Sequence, residues 1–245
     1  VPFKLIHSNE SQKKDDIVEY SEYITSTDAM SEEEWAKSLL FASYIQGLHN
    51  LGLLRALAIY YRHEHNLSYN DFYNKLLSYS KESKGTLLNT VYERISKLCL
   101  GIISGSNELV ATCEGLGDVL WGFDELIFLE FYKNLEVFYK EVKECFKGID
   151  ENDDVVDALF KYQLDIIKKI GVEHPVISSE YDFYSYFNSI FLGGYEKLIK
   201  NKTTIAVEDG VVVKDIHEFA REIVWYGRNR RATDYTSTNY KVTKA

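Results

Sequence analysis

Proline is almost missing from this chain: two residues in 245. Because proline most often stops a helix, its scarcity leaves long stretches free to run as helices. Cysteine is nearly as rare, and Cys99, Cys113 and Cys145 are too far apart in sequence to make a Cys-x-x-Cys pair. An odd number of scattered thiols argues against a disulfide framework or a cysteine-rich zinc site. It fits small buried thiols in a reducing, cytoplasmic compartment. Positive charge is also short: 28 Lys and Arg against 38 Asp and Glu give a formal net charge of −10 and a pI near 5.2. A general nucleic-acid binder draws its affinity from Lys and Arg on phosphates, so that class is excluded. The opening residues VPFKLIHSNESQKKDD contain no apolar core of a signal peptide. A glycine-rich phosphate loop, a nucleophile elbow, a Ser/His/Asp set and the HExxH zinc motif are all absent from the sequence. The first residue is Val rather than Met, and the expectation is that the chain is a piece of something longer.

What is abundant is apolar and aromatic: 45% hydrophobic residues, with 19 Tyr and 13 Phe, ample for a densely packed core. The longest apolar run is Trp35 to His65, WAKSLLFASYIQGLHNLGLLRALAIYYRHEH. From Leu39 to Tyr61 it has the length of a membrane span, but His49 and Arg55 fall near its middle, where lipid makes each costly. The run therefore reads as a buried helix pair. Ser31 and Glu34 form a capping box that starts a helix just before Trp35. Gly47 and Gly52, around His49 and Asn50, weaken the centre, which leaves two helices or one kinked helix.

The rest of the pattern predicts a mainly α protein. It is a helical bundle with a small antiparallel β-sheet or hairpin near the C-terminus and short N-terminal strands. Residues 1–30 hold the strands, at 1–8 and 17–27, with a polar loop between them. Residues 31–171 form the bundle. After the central pair come a helix over SYNDFYNKLLSYS, capped by Ser68 and Asp71, and another over Thr86 to Ser104. The five glycines between Gly101 and Gly122 mark a loop. Asp124 to Lys147 reads as one long amphipathic helix stopped by Gly148, and Asn152 opens another that runs to Gly171. Residues 172–231 form a small α+β element. Pro175 to Tyr181 is extended, Asp182 to Lys200 reads as a helix whose aromatics leave a strand open as the alternative, two β-branched runs flank the hairpin signal Asp209-Gly210, and EFAREIVWYGR forms a last helix behind an Asp215–Glu218 cap. Residues 232–245 read as a flexible polar tail.

Few residues stand out as chemical. Asp153, Asp154 and Asp157 spell the DDxxD pattern that binds Mg²⁺-diphosphate in helical enzymes, but no second acidic cluster accompanies it, and acids in a first helical turn are stabilised by the macrodipole anyway. His63-Glu64-His65 places its imidazoles two apart, on different sides of a helix, which suits a solvated helix end better than a metal. His49, with Gln46 and Asn50 beside it inside an apolar run, is either a satisfied core histidine or a polar group turned toward a cavity. Arg221, Arg228, Arg230 and Arg231 form a basic end to an acidic chain. They are either a solvated helix terminus or a clamp for a carboxylate or phosphate.

Three stretches carry a resemblance. Met-Ser-x-Glu-x-Trp within Asp28 to Trp35, the following apolar helix with His-x-x-Gly at His49 to Gly52, and the closing FAREIVWYGR from Phe219 to Arg228 resemble the region after the catalytic barrel in cobalamin-binding radical S-adenosylmethionine proteins. Ser68-Tyr69 and Asp71-Phe72-Tyr73 continue the likeness. The resemblance implies a parent protein with a [4Fe–4S] cluster, S-adenosylmethionine and cobalamin, and none of these in this chain, whose cysteines lack the Cys-x-x-x-Cys-x-x-Cys spacing. It implies a C-terminal accessory domain, itself non-catalytic, that follows an upstream radical barrel of the same polypeptide, covers it and helps select a small-molecule substrate. His49, Gln46, Asn50 and Arg228 would then contact substrate or barrel. The alternative is a free-standing helical protein, either an interaction scaffold or a Mg²⁺-dependent diphosphate enzyme using Asp153, Asp154 and Asp157.

Overall fold

The computed structural model describes residues 2–4, 19–106, 109–117, 119–173, 175–207, 212–225 and 238–244. In chain order the elements begin with β1 (Pro2–Lys4), β2 (Tyr20–Glu22), α1 (Glu32–Ile45), α2 (Arg55–Glu64), α3 (Tyr69–Glu82) and α4 (Leu87–Ile103). Next come β3 (Val110–Thr112), β4 (Leu120–Gly122), α5 (Phe123–Tyr132), α6 (Leu135–Phe146) and α7 (Asp153–Asp165). The last are β5 (Ile177–Ser179), α8 (Phe183–Phe191), β6 (Thr203–Val207), α9 (Ile216–Glu218) and β7 (Val242–Lys244). The protein is mainly helical with small antiparallel sheets, as the pattern predicts. No helix among the described residues is long and apolar enough to cross a membrane. The chain divides into two compact units, one from residues 1–48 and 73–145, the other from 49–72 and 146–245.

In the first unit, β1 and β2 pair antiparallel with Phe3 opposite Ser21. The capping box that opens α1 is complete: Glu34 N donates to Ser31 Oγ at 3.3 Å, and Ser31 N donates to Glu34 Oε2 at 2.8 Å. α1 packs on α4 and α5, and α5 is apolar on nearly every side, burying Leu126, Ile127, Phe128, Leu129 and Phe131 as the centre of this core. The close approach of α1 to α5 needs Gly47, since a Cβ there would lie 2.6 Å from Asp124 O. At the start of α4 Thr86 is the N-cap, its Oγ1 accepting from Asn89 N at 3.0 Å, and Glu141 of α6 completes the cap, accepting from Leu87 N and Leu88 N at 2.9 Å each.

Two expectations in this unit are corrected. The single helix over Asp124 to Lys147 is two, with a turn at Lys133 and Asn134: Asn134 N donates to Phe131 O at the end of α5, and Asn134 O accepts from Phe138 N at the start of α6. The break stacks Phe131 on Phe138 at 4.4 Å between ring centroids, whereas an unbroken helix would hold residues seven apart about 10 Å from each other along its axis. The glycine-rich stretch is more than a loop. β3 and β4 pair within it, Ala111 opposite Trp121, and carry Trp121 to 1% exposure.

The second unit packs α2 against α7, α7 against β5, and α8 against β6. Tyr61, Phe72 and Phe146 form its aromatic centre, Phe72 stacked on Phe146 at 4.3 Å. The sheet order is β5-β6-β7, antiparallel throughout, with Ile177 opposite Ile205 and Ala206 opposite Thr243. The Asp209-Gly210 hairpin turn lies outside the described residues, and residues 212–214 carry no strand. The partners of β6 are instead β5 and β7. The expected loose tail is therefore corrected for residues 238–244, where Thr238 is 2% and Tyr240 5% exposed. These residues draw residues 166–168 out of the helix, since Lys168 N donates to Thr238 O at 2.9 Å and Tyr240 N to Ile166 O at 2.8 Å. For that reason α7 stops at Asp165 instead of running to Gly171. The Asp215 cap is present, accepting from Glu218 N at 2.9 Å, and α9 continues as a π-helical stretch over Phe219–Trp225.

Gly52 has φ +84°, and a Cβ there would meet Asn239 Oδ1 at 2.1 Å; Gly85 has the same φ with open space around it. Gly85→Ala is expected to cost about 1–2 kcal/mol, the strain of a left-handed residue, and Gly52→Ala about 2–4 kcal/mol because a buried side chain must also move. Urea midpoints followed by circular dichroism would show the difference. Equal losses at the two positions would refute the close approach.

Candidate functional site: an aromatic cleft in the second unit

The turn before α2 is the local problem that this unit has to solve. Leu54 occupies the N-cap of α2 and makes no side-chain cap. The missing partner comes from α7, where Gln163 is fully buried and its Oε1 accepts from Ala56 N at 2.8 Å while its Nε2 donates to Gly52 O at 2.9 Å. The same turn is gripped from residues 238–239: Thr238 Oγ1 donates to Leu51 O, and Asn239 Nδ2 to Gly52 O at 3.4 Å. Arg55, the first residue of α2, turns back and donates from Nε to His49 O at 3.0 Å and from Nη2 to Asn50 O.

Beside this clamped turn lies a cleft of about 300 Å³, built from α2, α7, α8 and residues 239–242. Ala56, Ile59 and Ile166 supply aliphatic wall, and Tyr162, Phe187 and Tyr240 supply rings. Tyr162 and Phe187 are stacked at 5.5 Å. Tyr240 is fixed by its hydroxyl, which accepts from Lys169 N at 3.1 Å and donates to Val172 O at 3.3 Å. At the edge stand Tyr184, Asn188 and Phe191, the last 89% exposed. Burial keeps the Tyr162 hydroxyl protonated well above its usual range, so the wall it contributes is neutral.

A second cluster in this unit joins tyrosines to carboxylates. Asp150 accepts from Tyr60 Oη at 2.6 Å, from Asn152 N at 2.8 Å, and pairs with His65 Nε2 at 3.0 Å. Burial pushes the Asp150 carboxyl up, but the bonds from Tyr60, Asn152 and His65 outweigh it and hold the group below its ordinary range. Glu64 accepts from Tyr186 Oη at 2.9 Å and from Tyr195 Oη at 2.8 Å, and His63 stacks on Tyr195. The His63-Glu64-His65 run is thus spread over three different sets of contacts.

The residues singled out in the sequence fall as follows. Gln46 and Asn50 are exposed on the π-helical turn Gln46–Asn50, Gln46 in the first unit and Asn50 in the second. His49 is half-buried on that turn and meets Tyr69 edge-on at 5.3 Å. Burial first, and then the charge of Arg55, lower its pKa, so the imidazole is neutral at neutral pH. It does not line the cleft. Arg228 lies outside the described residues, as do Arg230 and Arg231. Asp153, Asp154 and Asp157 are exposed on the first turns of α7. Among the described residues no group of three or more His, Cys, Asp or Glu is placed to hold a metal ion. Gln163, which clamps the turn beside the cleft, and Asn239, which lines it, do not stand out in the sequence pattern as site residues. Gln163 had one signal, a polar side chain on the inward face of α7 between Tyr162 and Ile166. Asn239 had none, since it sits in a polar tail.

A [4Fe–4S] cluster is bound by thiolates. Here Cys99 and Cys145 are pushed up to about 12 and Cys113 to about 11, each first by burial, so all three are held as thiols. Among the described residues Cys99, Cys113 and Cys145 are not brought together as a group of three, so they do not form the thiolate set that a cluster needs.

No family model matches the chain. It is similar to 2-(S-pantetheinyl)-carbapenam-3-carboxylate methyltransferase of Streptantibioticus cattleyicolor, 26% identical over 179 residues, and to the cobalamin-dependent radical SAM methyltransferase TokK of Streptomyces tokunonensis, 24% identical over 195 residues. The matches cover 67% and 74% of this chain but 26% and 28% of those proteins, so the matched stretch spans about a quarter of the length of each. This distant similarity supports a relation to cobalamin-dependent radical SAM methyltransferases.

Two outcomes test the geometry of this unit. Gln163→Leu leaves Ala56 N without its partner and Gly52 O without its best one, and is expected to cost about 2–4 kcal/mol in a denaturant titration; a loss under about 0.5 kcal/mol, the range of a surface change, would refute the clamp. Asp150, with a lowered folded pKa, lends stability that is complete above about pH 4 and is lost as pH falls through the lower folded value. The melting-temperature gap between the parent and Asp150→Asn should therefore be widest at neutral pH and narrow in acid. A gap that stays constant across that range would contradict the assignment.

Proposed function

We propose that this chain is a non-catalytic accessory domain of a cobalamin-dependent radical SAM methyltransferase, which covers the radical barrel of the same polypeptide and helps select its small-molecule substrate. The observation that carries this reading is the shape of the two matches: they take in about 70% of this chain and about a quarter of each relative. The cluster, S-adenosylmethionine and cobalamin then belong to the remaining length, which agrees with three cysteines held as buried thiols. On this reading His49, Gln46, Asn50 and Arg228 face substrate or barrel, and a neutral His49 offers a hydrogen bond without adding charge.

The test is anaerobic reconstitution with iron and sulfide. This chain alone is expected to take up no [4Fe–4S] cluster and to release no 5′-deoxyadenosine from S-adenosylmethionine. The same chain extended upstream in its reading frame is expected to do both. Cluster assembly by the 245-residue chain itself, or its failure in the extended polypeptide, would sink the proposal.

A further inference from the structure

The cleft is walled largely by rings, and one helix supplies most of them. Along α8, Tyr184, Phe187, Asn188 and Phe191 repeat at the three- and four-residue spacing of a single helical stripe, and all four line the cleft. Tyr162 of α7 and Tyr240 add two buried rings. Tyr162 lies against Phe187 with the planes 22° apart, and Tyr240 is fixed through its hydroxyl. Five rings of the described residues thus meet around a space of about 300 Å³. Phe191 ends the stripe 89% exposed although it borders this apolar hollow, so covering it is a gain that folding leaves untaken.

Rings and branched aliphatic chains, here Ile59, Ile166 and Val242, return nothing to a charged group for the water it gives up, so the ligand that suits them is uncharged. Arg55 also borders the space, but its Nε and Nη2 are turned onto the carbonyls of His49 and Asn50, and the ligand needs no ion pair with it. A flat aromatic molecule gains more here than a saturated one of equal size, because ring pairs add stacked or edge-to-face attraction to the area they bury. At the edge, the hydroxyl of Tyr184 and the carboxamide of Asn188 can meet one polar group. The volume suits a molecule on the order of ten non-hydrogen atoms, the size of two fused rings. We propose that the cleft binds a small uncharged aromatic molecule of two fused rings, laid against Phe187, Phe191 and Tyr240 with its polar group near Tyr184 and Asn188. Binding of this kind does not depend on the accessory-domain reading, and it is measured on this chain without any cofactor.

The probes are 2-naphthol, its saturated counterpart decahydro-2-naphthol, and naphthalene-2-sulfonate, each titrated into the full chain by calorimetry near neutral pH, where the naphthol hydroxyl stays protonated. One 2-naphthol is expected to bind per chain, with the saturated alcohol weaker by about threefold or more and the sulfonate by about tenfold or more. Phe191→Ala, at an exposed position where folding is not at stake, should weaken 2-naphthol by about threefold or more. Leu192→Ser, 78% exposed beside it but outside the lining, should leave that affinity unchanged. Absence of 2-naphthol binding would overturn the proposal, as would binding of the saturated alcohol or the sulfonate as tight as that of 2-naphthol. Affinity left intact by Phe191→Ala, or lowered equally by Leu192→Ser, would overturn it as well.

Discussion

The second unit depends on one buried carboxamide. A helix start normally finds its cap within its own sequence, from Ser, Thr, Asp or Asn at the N-cap. α2 has Leu54 there, so its first free N–H and the carbonyl of the turn before it are both met by Gln163, 107 residues further along the chain. Only a group with a donor and an acceptor on one rigid plane can do both, which glutamine provides and leucine or glutamate does not. The start of α2 is thereby tied to the presence of α7, and a local feature becomes a tertiary one. Gly52 follows from the same constraint, since its left-handed φ lets the turn pass under Asn239 without a Cβ in the way. So does the placement of Arg55, whose backbone is the first residue after the clamped turn.

An acidic chain needs hydrogen-bond donors for its carboxylates that are not lysine or arginine. With ten more acids than bases, some carboxylates here are met by tyrosine: Tyr60 on Asp150, Tyr186 and Tyr195 on Glu64. Such bonds are charge-assisted on the acceptor side and cost no second ion to desolvate. Burial, together with the neighbouring carboxylates, holds Tyr60 and Tyr186 protonated far above their usual range, so the donors are permanent. Tyr60 and Tyr186 are themselves buried, so each also contributes its ring to the core.

The sequence was informative wherever structure is decided locally. The Ser31–Glu34 box, the Asp215 cap, the glycine break inside Trp35 to His65 and the run of helices all follow from residues a few positions apart, and all are present. It was silent where partners are distant. The turn at Asn134 divides a helix that periodicity joins, and across it Phe131 stacks on Phe138, a contact that an unbroken helix would not allow. β6 has a β-branched run and an Asp-Gly signal after it, yet pairs with β7, and nothing within ten residues of either strand records that choice. The candidate site suffered most from this. His49 stands out in the sequence as a polar residue inside an apolar run but lies off the cleft, while Gln163 and Asn239 act through contacts made across the whole unit.

A cleft assembled in this way leaves no short motif by construction. Its rings come from α7, α8 and residue 240, its aliphatic wall from α2, α7 and β7, and its arginine from the residue that follows a clamped turn. Each of these side chains taken alone is unremarkable for its element: Tyr162 continues an apolar stripe, Phe187 faces the same way as Phe183, and Arg55 caps two carbonyls. The character of the cleft arises only from the sum, which among the described residues is apolar on most sides.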